Sequence, residues 1–135
     1  MKRSLVAIVA AFAAIFVLDF IAHSRLLMSL YTQTASVWRP EAQAHEKMWL
    51  MMLGQLLFAV LFVWIYSKGY EQHRPGLGQG LRYGLLIGLL TSISYITVWY
   101  VVLPVPLALA LGWVASMMAD CLLAGAAVGL LYRRD

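Results

Sequence analysis

From Leu5 to Leu18 the chain carries no polar side chain, and the apolar run resumes after Asp19 and continues to Ala22. A helix needs about 20 apolar residues to cross the hydrocarbon core of a bilayer. Three later segments have the same character, and the expected spans are about 4–22, 48–66, 83–103 and 108–132. Only Pro104 to Leu107 separates the last two, and two prolines so close break a helix and make a tight hairpin. The predicted fold is an all-α, four-helix transmembrane bundle, a single integral membrane domain over residues 1–135.

Composition supports that reading. Hydrophobic residues make up 63% of the chain and charged residues 12%. Soluble domains are about 45–50% apolar and about 25% charged. A soluble globule of this size cannot hide so much apolar surface. The net charge of +4 does not point to nucleic acid, because the basic residues stand beside apolar spans. A single cysteine, Cys121, excludes a disulfide framework within the chain and reads as a small core residue. The segment "MKRSLVAIVAAFAAIF" has features of a signal peptide. Its apolar run is long enough to span, so it is expected to stay as the first helix.

Basic residues set the expected orientation. With the N-terminus inside, Lys2, Arg3, Lys68, Arg74, Arg82, Arg133 and Arg134 are cytoplasmic, and Arg25, Arg39 and Lys47 are outside. This distribution predicts both termini in the cytoplasm of a multi-pass inner-membrane protein. Trp38, Trp49, Trp99, Tyr100 and Trp113 then form an outer interfacial belt, and Trp64, Tyr66, Tyr83 and Tyr132 an inner one. The outer connection contains "RLLMSLY", amphipathic enough to prolong the first helix or lie on the surface. "EAQAHEK" reads as a polar preface to the second span, and the glycine-rich "SKGYEQHRPGLGQG" as irregular.

Helices in lipid associate through small residues and polar contacts. Gly84-x-x-x-Gly88 opens the third span and Gly125-x-x-x-Gly129 closes the fourth, so the two pairs are expected to face each other. Ala7/Ala11 and Ala10/Ala14 give the first span a similar stripe, and such stripes also serve dimerisation.

Ionisable groups inside a membrane are costly and face the protein interior or are neutralised. A rise of 1.5 Å per residue puts Asp19 about 8 Å below the outer edge of a ~30 Å core. Gln55 and Thr97 share that depth, and Asp120, Ser94 and Tyr95 form a deeper layer. Asp19 and Asp120 are therefore expected one to two turns apart, not as a direct carboxylate pair unless strong tilt brings them level. Asp120, with no lysine or arginine at its depth, is expected to be neutral or to meet a partner from another chain or a ligand. Asp19 and His23 share a helix face. They read as a strut fixing register, as a proton or cation site open to the outer side, or as a partner contact.

Asp19, His23, Glu41 and His45 also form two acid–histidine pairs that would make a divalent-metal site if their helices met. Haem is not expected, since His23, His45 and His73 all lie at or beyond the span boundaries. The methionines Met48, Met51, Met52, Met117 and Met118 read as apolar filler. No GxSxG, HExxH or P-loop pattern occurs, and an enzyme is not expected.

Through "FVLDFIAHSRLLMSLY" and "LPVPLALALGWVASMMADCLLAGAAVGLLYRR" the chain resembles small four-span bacterial inner-membrane proteins of a domain-of-unknown-function family. That resemblance implies the fold and brings no activity. Two functions are in view. One is a non-enzymatic subunit or scaffold packing against itself or a larger membrane complex. The other is a small transporter or sensor for protons, metal ions or an apolar ligand, using Asp19, His23, Gln55 and Asp120. The expected partners are membrane lipids with further copies or other membrane subunits, without nucleic acid and without a cofactor.

Overall fold

A computed structural model describes residues 2–132, and all its regular structure is helical. Four helices are long and apolar enough to cross a membrane: α1 (Lys2–Ile21), α4 (Met48–Lys68), α5 (Gly76–Val102) and α6 (Leu107–Leu131). Two short helices, α2 (Met28–Gln33) and α3 (Glu41–His45), lie in the connection between α1 and α4. We call the end of the molecule holding this connection the loop end, and the opposite end, where α1 starts and α6 finishes, the terminal end.

Helix boundaries follow local chemistry. Pro40, Pro75 and Pro106 each stand immediately before a helix, where a missing N–H costs nothing. Leu103 is extended, as a residue preceding proline prefers, and ends α5. The first spanning segment runs past Ile21 through one π-helical turn, Ala22–Leu26, which the Leu27 N–H closes on the Ala22 carbonyl at 2.8 Å. Leu27 then seats against Gly112 of α6 and packs with Val105 and Leu109. The polar preface expected before the second span is a separate helical turn, α3, divided from α4 by Glu46 and Lys47.

The largest departure from expectation is the start of α5, at Gly76 rather than near residue 83. Of the glycine-rich stretch expected to be irregular, residues 69–75 are irregular, and 76–80 open the helix instead. Its glycines serve the close approach of α5 to α6. A Cβ at Gly80 would stand 2.9 Å from the Gly129 Cα and nearer still to the Gly125 carbonyl. One at Gly84 would meet the Cys121 backbone and lie 3.1 Å from the Leu122 Cα. The expected facing of glycines is therefore present, but in a shifted register: Gly125 meets Gly80 and Gly84, Gly129 meets Gly76 and Gly80, and Gly88 meets Met118 and Cys121. The preceding turn is pinned by Gln79, whose side chain accepts from the Glu71 N–H and donates to the Glu71 and Arg74 carbonyls at 2.8–3.0 Å.

Helix α6 is the central element. Within its apolar window 39% of residues are buried, against 17% in each of the other three spans. It packs on α5 along one side and on α1 along the other, and α4 packs on α1. Ala7 and Ala11 are fully buried in the same cluster as Ala59, Ala124 and Val128, so small residues bring α1, α4 and α6 together. Helices α4 and α5 meet at the terminal end. There the Tyr83 hydroxyl donates to the Phe62 carbonyl at 2.7 Å, and the Phe62, Tyr66, Tyr70, Tyr83 and Tyr132 rings pack at centroid distances of 4.6–6.0 Å.

Candidate functional site

Aromatic rings hold α4 to α5 at the terminal end, and a cavity opens between the four long helices in the loop-end half. Its volume is about 1640 Å³. Ordinary small-molecule pockets occupy about 300–1,000 Å³. The walls are apolar: Phe16 and Phe20 of α1, Met48, Met51 and Phe58 of α4, Leu90 and Trp99 of α5, and Met117 of α6. Among the described residues no lysine or arginine lines it.

The polar groups come from one level of the cavity. Asp19 and Asp120 both line the cavity, near enough for their carboxyls to interact, the level arrangement that the depth count allows only under strong tilt. Depth counted along upright helices misleads here. Helices α5 and α6 have 27 and 25 residues. At 1.5 Å per residue these are roughly 40 and 37 Å long, more than the ~30 Å core, so a helix end need not coincide with the bilayer edge from which depth is counted. The partner of Asp120 is therefore on its own chain.

Two carboxyls can hydrogen-bond only if one carries a proton. Asp19 already accepts from the Gln55 amide, whose Nε2 lies 2.6 Å from Oδ2. His23 Nε2 stands 3.6 Å from Asp19 Oδ1, an electrostatic contact rather than a hydrogen bond. The Gln55 amide therefore favours negative charge on Asp19.

Above Asp19 the contacts continue towards the loop end. The Tyr31 hydroxyl accepts from Trp113 Nε1 at 2.6 Å and lies 2.6 Å from His23 Nδ1. Trp113 has only a donor, so with a neutral His23 protonated on Nε2 the Tyr31 hydroxyl gives its proton to Nδ1. That tautomer directs Nε2–H at Asp19. Trp38 closes the cluster, edge-on to Tyr31 at 5.3 Å and to Trp113 at 6.1 Å, and donates to Thr34 at 2.9 Å. Burial pushes the Tyr31 phenol above its usual pKa, the Trp113 hydrogen bond opposes that shift, and the charge of Asp19 adds to it.

Three buried polar atoms among the cavity-lining residues have no hydrogen-bond partner among the described residues: Asp120 Oδ1, Gln55 Oε1 and Ser116 Oγ. Ser116 was not singled out in the sequence, although it precedes Asp120 by four residues and so shares its helix face. Tyr31 and Trp113 carry no sequence signal for the site, since the one fits a surface helix and the other an interfacial belt. Ser94 and Tyr95 also line the cavity with Asp120, on its α5 wall.

The candidate metal ligands are not brought together. His45 and Glu41 form their own pair at 3.8 Å on the exposed surface of α3, away from the cavity. Among the described residues no three of His, Cys, Asp and Glu converge as a metal set.

No family model matches the chain, and neither a curated protein nor a solved structure matches it.

Proposed function

We propose that this chain is a multi-pass membrane protein that takes an apolar or amphipathic molecule from the bilayer into the cavity between α4 and α5. Its polar end would rest on the Asp19–Asp120 pair. The observation that carries the reading is the placement of both carboxyls in an apolar cavity of about 1640 Å³ formed by one chain. An intramembrane carboxyl facing its own chain's cavity is the arrangement of a ligand or proton site. An assembly contact would direct it at lipid or at a neighbouring chain. The groups present hold and exchange protons, which suits a carrier or a sensor. We place this protein in the inner membrane as a four-helix bundle with both ends in the cytoplasm, on the strength of its basic residues. The cavity then lies in the outer half of the bilayer.

The subunit role keeps one argument. A splayed pair of helices also accommodates a helix from a second chain. The pairing of Asp120 with Asp19 favours the ligand reading, because it supplies within the chain the partner that a subunit would otherwise bring.

Dicyclohexylcarbodiimide, an apolar reagent for protonated carboxyls, tests the reading. Applied to the intact protein in membranes, it is expected to add once, at Asp120 or Asp19, and the adduct is expected to disappear when both are changed to asparagine. An intact protein with no adduct at either position would refute a cavity reached from the bilayer.

A further inference from the structure

A second, smaller pocket lies at the terminal end, where the chain passes from α4 to α5. Its volume is about 220 Å³, and Arg74, Pro75, Gly78, Gln79 and Arg82 line it. Pockets that enclose a whole small molecule hold about 300–1,000 Å³, so this one suits a head group. Two guanidinium groups converge here on one carboxylate. Arg74 Nε lies 2.7 Å from Glu71 Oε2, and Arg82 Nη2 lies 3.7 Å from Glu71 Oε1. Only the first is a hydrogen bond. Each guanidinium has five N–H donors, so most of them have no partner among the described residues. All three side chains are exposed, and two arginines against one glutamate leave an excess of one positive charge.

The turn that carries these groups is fixed. Buried Gln79 bonds the Glu71 N–H and the Glu71 and Arg74 carbonyls. The pocket therefore exists before a ligand arrives, which lowers the cost of binding. Its surroundings point to a lipid. Arg82 adjoins Tyr83 of the terminal-end aromatic cluster, and on α4 the Lys68 ammonium stands 5.0 Å from the centre of the Trp64 ring. Such rings sit at head-group level. Leu85, Leu86 and Leu89 follow Arg82 at three, four and seven residues, on the same helix face, and all three are exposed. Guanidinium groups bind phosphate through paired N–H donors, and basic pockets at the ends of spans hold anionic head groups. We infer that this pocket seats the phosphate of an anionic phospholipid on Arg74 and Arg82, with the acyl chains along Leu85, Leu86 and Leu89. A zwitterionic head group brings its own ammonium beside the two arginines, and a free phosphate has no chain for the leucines.

The full chain in dodecyl maltoside is titrated with dioleoyl phosphatidylglycerol or dioleoyl phosphatidylcholine, with bound lipid counted by native mass spectrometry. One phosphatidylglycerol per chain is expected to bind at least about tenfold more tightly than phosphatidylcholine. The double variant Arg74→Gln with Arg82→Gln should lose that preference. Glu71→Gln removes the competing carboxylate and keeps the backbone groups that Gln79 holds, so it should bind phosphatidylglycerol a few-fold more tightly. Lys68→Gln removes a nearby charge outside the pocket and should leave the affinity within about twofold.

Equal binding of the two lipids by wild type would overturn the inference. So would a loss in Lys68→Gln as large as in the double arginine variant, which would assign the preference to diffuse surface charge. Unchanged or weaker binding in Glu71→Gln would mean that the arginines serve only the turn. Displacement of all phosphatidylglycerol by millimolar sodium phosphate would make this a site for a free anion and overturn the lipid assignment.

Discussion

Replacing Gly80 by alanine tests how the two longest helices are joined. The added Cβ would stand 2.9 Å from the Gly125 carbonyl carbon and from the Gly129 Cα, and closer to the Gly125 oxygen. Carbon–oxygen contacts between helices settle at about 3.3–3.6 Å, so α5 and α6 must separate locally by about 1 Å. The obstacle is backbone, which no rotamer change can move aside. A gap of 0.5–1 Å forfeits about a quarter to a half of each dispersion contact, and overpacking of this kind costs about 1–3 kcal/mol. Gly54→Ala is the control, because a Cβ there meets nothing within 4 Å. Relieved of glycine's poor helix propensity, that variant should be unchanged or stabilised by up to about 1 kcal/mol. Both are measured by reversible unfolding in mixed micelles, read by tryptophan emission. Equal stability of Gly80→Ala and wild type would refute the close approach of α5 and α6 at this register.

Other perturbations address the site. Gln55→Leu removes the 2.6 Å hydrogen bond to Asp19 and should destabilise by about 1.5–3 kcal/mol, the worth of a bond to a charged group, in the same unfolding assay. Tyr31→Phe leaves His23 Nδ1 and Trp113 Nε1 without their shared partner. It should cost about 1–2 kcal/mol and speed amide exchange in residues 22–38 before any other region. The Tyr31 phenol is held above its unfolded value, chiefly by burial. Its contribution to stability is full below about pH 10 and falls as pH rises from there through the folded value. Wild type should therefore lose more stability than Tyr31→Phe between pH 9.5 and 11, and parallel curves for the two would contradict the burial of the phenol. Tyr83→Phe breaks the tie to the Phe62 carbonyl and should loosen α4 from α5 at the terminal end, at a cost of about 1 kcal/mol, seen as larger distances between spin labels on the two helices.

The four spans were readable because apolar length alone determines them, and "PVPL" marked the turn between α5 and α6. The start of α5 was not readable from local sequence. Glycine signals a loop by its propensity, yet at Gly76 and Gly80 it is used for contact with a neighbouring helix, and only the position of Gly125 and Gly129 reveals that use. Gln55 and Asp19 share a level by simple rise per residue, and they do bond. The same reckoning misplaces Asp120, because α5 and α6 are longer than the bilayer core is thick and their ends do not mark its edge. Tyr31 is 82 residues from Trp113, and their hydrogen bond depends on how the π turn and α2 fold back over α6, which no pattern in either segment announces.

The central claim is that one chain encloses a membrane-level cavity where Asp19 and Asp120 meet a ligand. The most direct measurement is extraction in native lipid followed by native mass spectrometry of the wild type and the Asp19→Asn, Asp120→Asn double variant. The account predicts that the wild-type chain comes out carrying a small amphipathic molecule, without a second kind of protein chain, and that the double variant comes out without that mass. A wild-type chain found only in complex with another protein, and with no small molecule attached, would contradict it.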